Sequence, residues 1–149
     1  MLHVYEFEVF DDDGVTLAFP YDLEGGTQGE GFADACESAA AWLQCEMEHR
    51  AMHDLPFPEA TFGNEPGHEG GRTVIVAVNA DKDTVRRLTG AEAARRLGVT
   101  PGRVTQMADA GQLESFELDG RRWITEDSVA ARLAANPRAG RPKKAVATA

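Results

Sequence analysis

The stretch that most constrains this 149-residue chain runs from Leu88 to Ile124, LTGAEAARRLGVTPGRVTQMADAGQLESFELDGRRWI. Thr89-Gly90-Ala91-Glu92 has the spacing of a capping box, in which threonine and glutamate side chains satisfy each other's backbone N–H groups, so a helix starts there. Ala91, Ala94 and Leu97 give that helix an apolar stripe. Gly98 sits where a helix ends in a left-handed residue, and Val99 plugs the corner. Thr100 caps a second helix, with Pro101 at its first position, where a missing N–H costs nothing. Val104, Met107 and Ala108 or Ala110 face inward, and Gly111 stops the helix.

Leu113–Leu118 then alternates apolar and polar residues, Asp119-Gly120 favours a type I′ turn, and Arg121-Arg122-Trp123-Ile124 returns as a second strand. This is a small wing with two arginines just past its tip. Thr125 caps a third helix, Glu126 to about Asn136, closed by Pro137. Two short helices joined by a tight turn form the unit whose second helix enters the major groove of DNA. The succession resembles the winged helix-turn-helix of the excisionase and MerR-like regulators. The residues that carry the likeness are Leu88-Thr89, Glu92-Ala93-Ala94, Leu97-Gly98-Val99, Val104, Gly111-Gln112-Leu113, Phe116 and Gly120-Arg121-Arg122-Trp123-Ile124. It implies a DNA-binding domain over residues 84–136, followed by a disordered basic tail over 137–149.

Charge divides the chain at the same place. Residues 1–83 hold 18 Asp and Glu against 3 Lys and Arg, a net of −15, while residues 84–149 hold 7 against 12, a net of +5. The basic end suits a nucleic acid, and the acidic body suits a basic protein. No stretch approaches the roughly 20 apolar residues of a membrane span. Met1–Glu6 lacks a basic region followed by an apolar run, so the expectation is a cytoplasmic protein without a secretion signal. Cys36 and Cys45 fall in one expected helix, roughly 13 Å apart along its axis and on opposite faces. A disulfide needs Cα atoms within about 7 Å, so both are read as unpaired core residues in a reducing compartment.

In the first half, Val4–Phe10 alternates, with Tyr5, Phe7 and Val9 toward a core and Val4, Glu6, Glu8 and Phe10 on the other side. Asp11-Asp12-Asp13-Gly14 is a turn, Val15–Phe19 the second strand of a hairpin, and Pro20 its end. Gly25-Gly26 suggests a turn or bulge, and Thr27-Gln28-Gly29 a short third strand. Phe32, Ala35, Cys36, Ala39, Leu43 and Met47 recur at helical spacing, with Trp42 flanking the stripe. The helix frays near His49–His53, and Leu55–Gly71 is a loop. Thr73–Val78 is a β-branched run fit for a buried strand. The order β-β-β-α-β makes an α+β sheet with the helix on one face.

Phe7-Glu8, Asp13-Gly14-Val15, Phe19-Pro20, Asp22-Leu23, Gly25, Thr27-Gln28-Gly29 and the acidic helix with Ala35 and Ala39-Ala40 resemble the HicB antitoxin domain. The likeness covers residues 1–83. It implies a partial, degraded RNase H-like sheet that binds HicA, a small basic toxin ribonuclease, with Asp11, Asp12, Asp13, Asp22 and Glu24 as the toxin-facing acids. The sequence departs from that pattern where Tyr21 separates Pro20 from Asp22, and where Glu24 and Gly26 replace a common proline and cysteine.

Candidate DNA contacts follow from the second helix, where Gly102, Arg103, Thr105 and Gln106 point outward. Arg103 suits guanine and Gln106 adenine, while Thr100 and Thr105 suit phosphate. Arg121 and Arg122 on the wing suit phosphate or the minor groove, and Arg95 and Arg96 lie on the helix that crosses the backbone. Arg141, Lys143 and Lys144 surround a Gly-Arg-Pro segment suited to a narrow, A·T-rich minor groove.

No cofactor, metal or catalytic residue is expected. Consecutive Asp11, Asp12 and Asp13 cannot converge on one ion. Cys45, His49 and His53 share one helical face, but no fourth zinc ligand is evident. Glu6 and Glu8 stand where an active RNase H-like nuclease keeps a carboxylate, yet Thr73–Val78 supplies no converging acids for two-metal hydrolysis. The reading is an antitoxin and autorepressor that binds a HicA-like toxin and operator DNA as a homodimer or larger homo-oligomer. Three alternatives stay open: a stand-alone regulator whose acidic domain dimerises or senses a ligand, an RNase H-like nuclease, and an excisionase-type architectural factor.

Overall fold

The computed structural model describes residues 1–135. The chain divides into two compact units, Met1–Val85 and Arg86–Ala149, so the division falls two residues beyond the charge switch. Among the described residues, no helix is long and apolar enough to cross a membrane.

The first unit is α+β. Strands β1 (Leu2–Asp12), β2 (Val15–Pro20) and β3 (Thr27–Gly29) precede helix α1 (Phe32–Met52) and strand β4 (Arg72–Asn79). The sheet order is β3-β2-β1-β4, with every neighbouring pair antiparallel. Asp13 and Gly14 both have positive φ, 50° and 80°, which fits the two-residue turn between β1 and β2. Tyr5, Phe7 and Val9 meet Ala35, Ala39, Leu43 and Met47 of α1 in one core. Trp42 packs edge-on against Phe7, with ring centres 5.9 Å apart. Gly29 lets β3 approach α1 closely, since a Cβ there would lie 2.5 Å from the Ala35 backbone nitrogen.

The second face of this sheet departs from the alternation reading. Glu6, Glu8 and Phe10 are buried because the segment between α1 and β4 folds over them. The Asn64 backbone and side-chain N–H groups donate to Glu6 Oε1 at 3.0 and 2.9 Å. The His68 backbone N–H donates to Glu8 Oε2 at 2.8 Å, and its ring stacks on Phe10 at 3.7 Å. Burial pushes the Glu8 carboxyl up, but the His68 backbone and ring and the Gly67 N–H outweigh it and hold it below the usual range. Tyr5 donates to the Pro58 carbonyl at 2.6 Å, and burial pushes its hydroxyl up.

Three further expectations are corrected. β4 is a rim strand rather than a buried one: Val76 and Val78 face the core, but Ile75 is 67% exposed. Phe32 opens α1 yet is exposed, with the Arg72 guanidinium 4.6 Å above its ring. Cys45 is exposed and Cys36 only half-buried, because the stripe of α1 that meets the sheet is filled by Ala35, Ala39, Leu43 and Met47. Burial pushes the Cys36 thiol up, which keeps it protonated at neutral pH.

The second unit comprises β5 (Arg87–Leu88), α2 (Gly90–Leu97), α3 (Pro101–Asp109), β6 (Ser115–Leu118), β7 (Arg121–Thr125) and α4 (Glu126–Ala134). Its sheet order is β5-β7-β6. Leu88, Ala93, Ala94, Val104, Met107, Ala108, Leu113, Ile124 and Val129 form its core. Ala93 replaces Ala91 as the inward residue of α2, and Ala108 rather than Ala110 faces in from α3. The wing starts at Ser115, because Leu113 is already committed to the core.

Candidate nucleic-acid interface

Local chemistry fixes the pair α2–α3. The Thr89 hydroxyl accepts from the Glu92 N–H at 3.1 Å, and the Glu92 carboxylate accepts from the Thr89 N–H at 3.4 Å. Gly98 closes α2 at φ 68°, ψ 34°, a conformation that costs glycine least. The Val99 N–H then reaches back to the Ala94 carbonyl at 3.0 Å. Thr100 caps α3 by accepting from the Arg103 N–H at 3.1 Å, with Pro101 in the first turn.

With Val104, Met107 and Ala108 held inward, α3 exposes Pro101, Gly102, Arg103, Thr105, Gln106 and Asp109. Of these, Arg103 and Gln106 carry side-chain N–H donors long enough to reach beyond the helix. Thr105 Oγ1 donates to the Pro101 carbonyl at 3.3 Å, and the Thr100 hydroxyl is occupied as a cap. The two threonines therefore serve the helix in this structure. Gly102 is not demanded by its own chain: a Cβ there would meet nothing closer than Thr100 Oγ1 at 4.0 Å.

The two wing arginines differ. The hairpin turns at Asp119 and Gly120, whose φ values are 54° and 73°. Arg121 and Arg87 flank the Trp123 ring, each guanidinium 4.9 Å from its centre. Arg122 bridges instead to Asp109 at the end of α3 at 2.8 Å, and to Ser115 Oγ at 3.0 Å. It ties the wing to the helix. Arg96 is likewise held by Glu126 at 3.1 Å. Arg95 and Arg103 are exposed and have no ion-pair partner among the described residues. Arg141, Lys143 and Lys144 lie outside the described residues.

The acids assigned to a basic partner in the first unit also separate. Asp12, Asp13 and Glu24 are exposed at their tips. Asp11 accepts from the Thr16 hydroxyl at 2.7 Å, and Asp22 from the Thr61 N–H at 2.8 Å and its hydroxyl at 2.9 Å. Asp22 is thus a loop fastener. Composition alone could not separate it from the exposed acids, because Thr61 is 39 residues away. The His49 ring, in the last turn of α1, sits 4.6 Å from the ring of His53, which follows the helix.

No family model matches the chain, and no curated protein matches it. A solved chain described as a toxin–antitoxin complex from Streptococcus pneumoniae is similar over 74% of this chain and 99% of its own. The identity is 16% and the TM-score 0.49, a level of likeness that carries no argument about partner or activity.

Proposed function

We propose that this chain is a DNA-binding antitoxin of the HicB kind. The second unit grips duplex DNA as a winged helix-turn-helix, and the first receives a small basic ribonuclease of the HicA kind. The chain itself performs no catalysis and needs no cofactor. It acts as an autorepressor, in two copies on paired half-sites, since a single small reading unit buries too little DNA to be selective.

The observation that carries the reading is the exposed row Gly102, Arg103, Thr105 and Gln106 on α3, beside a wing whose Arg121 stays on the surface. Gly102 adds weight. Glycine inside a helix costs about 1 kcal/mol relative to alanine, and no neighbour in the chain needs the space. That open space would admit a nucleic-acid backbone. The opposite charges of the two halves, −15 and +5, support partners of opposite sign.

The test has two arms. Fluorescence anisotropy with duplex from the chain's own promoter should show binding that weakens steeply with salt. Arg103→Ala should lose affinity, while Arg122→Ala, which loosens the wing, should lose less. Purification of the tagged chain from its native host should bring down a small basic protein. Duplex binding without that protein would favour the stand-alone regulator.

A further inference from the structure

The rim of the first unit's sheet carries a second interaction surface. β4 has β1 on one side and no strand on the other among the described residues. The register shows which of its backbone groups remain. The Tyr21 N–H donates to the Glu6 carbonyl at 3.1 Å, so the main-chain groups of Glu6 face β2. In an antiparallel sheet, a residue's N–H and C=O point to the same neighbour. Glu6 lies opposite Ile75, so the main-chain groups of Ile75 point away from β1. Those of Thr73 and Ala77, two residues to either side, do the same.

Such a row is a template for another strand, and proteins usually blunt it with lysine, proline, a bulge or an inward charge. Thr73–Asn79, TVIVAVN, contains none of these residues. At Thr73 the segment between α1 and β4 reaches this strand, the hydroxyl donating to the Asn64 carbonyl at 2.8 Å, but from Ile75 onward the outer face beside it is apolar and uncovered. Ile75 and Leu2 are 67% and 66% exposed, with Ala77 opposite Val4 between them.

We propose that a second copy of the chain pairs here, β4 against β4 about a two-fold axis, joining two four-stranded sheets into one. Ile75 meets its own counterpart, and Thr73 meets Ala77. The pairing ends at Ala77 because the Asn79 carbonyl already accepts from Gln44 Nε2 at 2.9 Å. This register keeps outer-face residues together and both α1 helices on the opposite face. Charge selects the occupant. The acidic half repels its own copy over most of its surface, but Arg72–Asn79 holds no carboxylate, and its one charge is Arg72. The strand itself sets no carboxylate against a like chain and offers none to a cationic partner. Identical branched apolar side chains suit an isologous interface. The inference gives the dimer of the preceding reading an interface, but is drawn from the sheet alone.

Light scattering of the full chain without DNA should return twice its 16.1 kDa mass. In a Cys36→Ser, Cys45→Ser background, Ile75→Cys should form a disulfide-linked dimer on mild oxidation. Hydrogen-bonded counterparts lie about 5.5 Å apart at Cα, within disulfide reach. Thr73→Cys, which would sit opposite Ala77, should not cross-link. Ile75→Pro removes a rim N–H and leaves the bonds to β1 intact. It should raise the dimer dissociation constant roughly tenfold with an unchanged circular dichroism spectrum. Ile75→Lys, which keeps the N–H and charges the face, gives the same readout if the proline variant does not fold. A monomer at every soluble concentration overturns the proposal. So does a dimer insensitive to both variants, equal cross-linking from Thr73→Cys, or assembly only when a basic protein is added. No duplex is present in these measurements, so their failure leaves DNA binding standing, and loss of DNA binding leaves them standing.

Discussion

The two units use charge in opposite directions. In Met1–Val85, carboxylates hold the fold together from inside: Glu6 and Glu8 lie under the loop, and Asp22 and Asp11 fasten turns. In the second unit, arginines brace the surface: Arg96 reaches Glu126, and Arg122 reaches Asp109. What remains after those internal duties is what each unit can offer a partner. Of the acids assigned to a basic partner, Asp12, Asp13 and Glu24 stay exposed, and of the arginines assigned to DNA, Arg95, Arg103 and Arg121 do. A charge count gives the sign of the partner, whereas only the hydrogen bonds say which residues are available to it.

The contrast can be broken most forcefully at Gly29. Gly29→Ala puts a methyl 2.5 Å from the Ala35 backbone nitrogen and should cost about 3 kcal/mol. Trp42 reports the first unit and Trp123 the second, so denaturant unfolding followed by fluorescence should shift the first transition alone. Equal shifts of both would end the picture of two independent units. Next, Gln106→Ala should weaken operator binding by about 1–3 kcal/mol and relax one base position. Anisotropy against a panel of single-base variants checks this.

Glu8→Gln should cost about 1.5 kcal/mol at neutral pH, because backbone donors lose a charged acceptor. The folded carboxyl lies below its unfolded value of about 4.3. Its stabilisation is therefore present above that pH and lost as pH falls through the folded value. Acid titration of stability should be shallower in the variant. The smallest effect is expected at Gly102. Gly102→Ala should raise stability by up to about 1 kcal/mol while lowering duplex affinity, a split that calorimetry and anisotropy read separately.

The second unit was the more legible half. Its boundaries are written in local chemistry: the Thr89–Glu92 box, Gly98, Thr100-Pro101 and Asp119-Gly120 each act within four residues. β5 escaped notice because two residues cannot show alternation, and it exists only by pairing with β7. In the first unit the strand order was readable, but the fates of Glu6 and Glu8 were not. Their partners, Asn64 and His68, lie 58 and 60 residues away. Alternation gives the side of a strand a residue faces and says nothing of what later covers that side. A nearer signal was missed at Asp81 and Thr84, whose box caps a 3-10 turn over Lys82–Thr84. Of the candidate interface, the outward row of α3 follows from periodicity, whereas the division of labour between Arg121 and Arg122 depends on where the fold brings Trp123 and Asp109.

The grip on Glu8 by the main chain at position 68, and much of that on Glu6 at position 64, has an evolutionary corollary. A peptide N–H is present whatever residue carries it, save proline. Phe62, Glu65 and Glu69 on the same crossing are exposed and can be exchanged freely, while the anchoring of the strap persists. The outer skin of this sheet can thus drift toward new companions generation by generation, with the frame beneath it left unaltered.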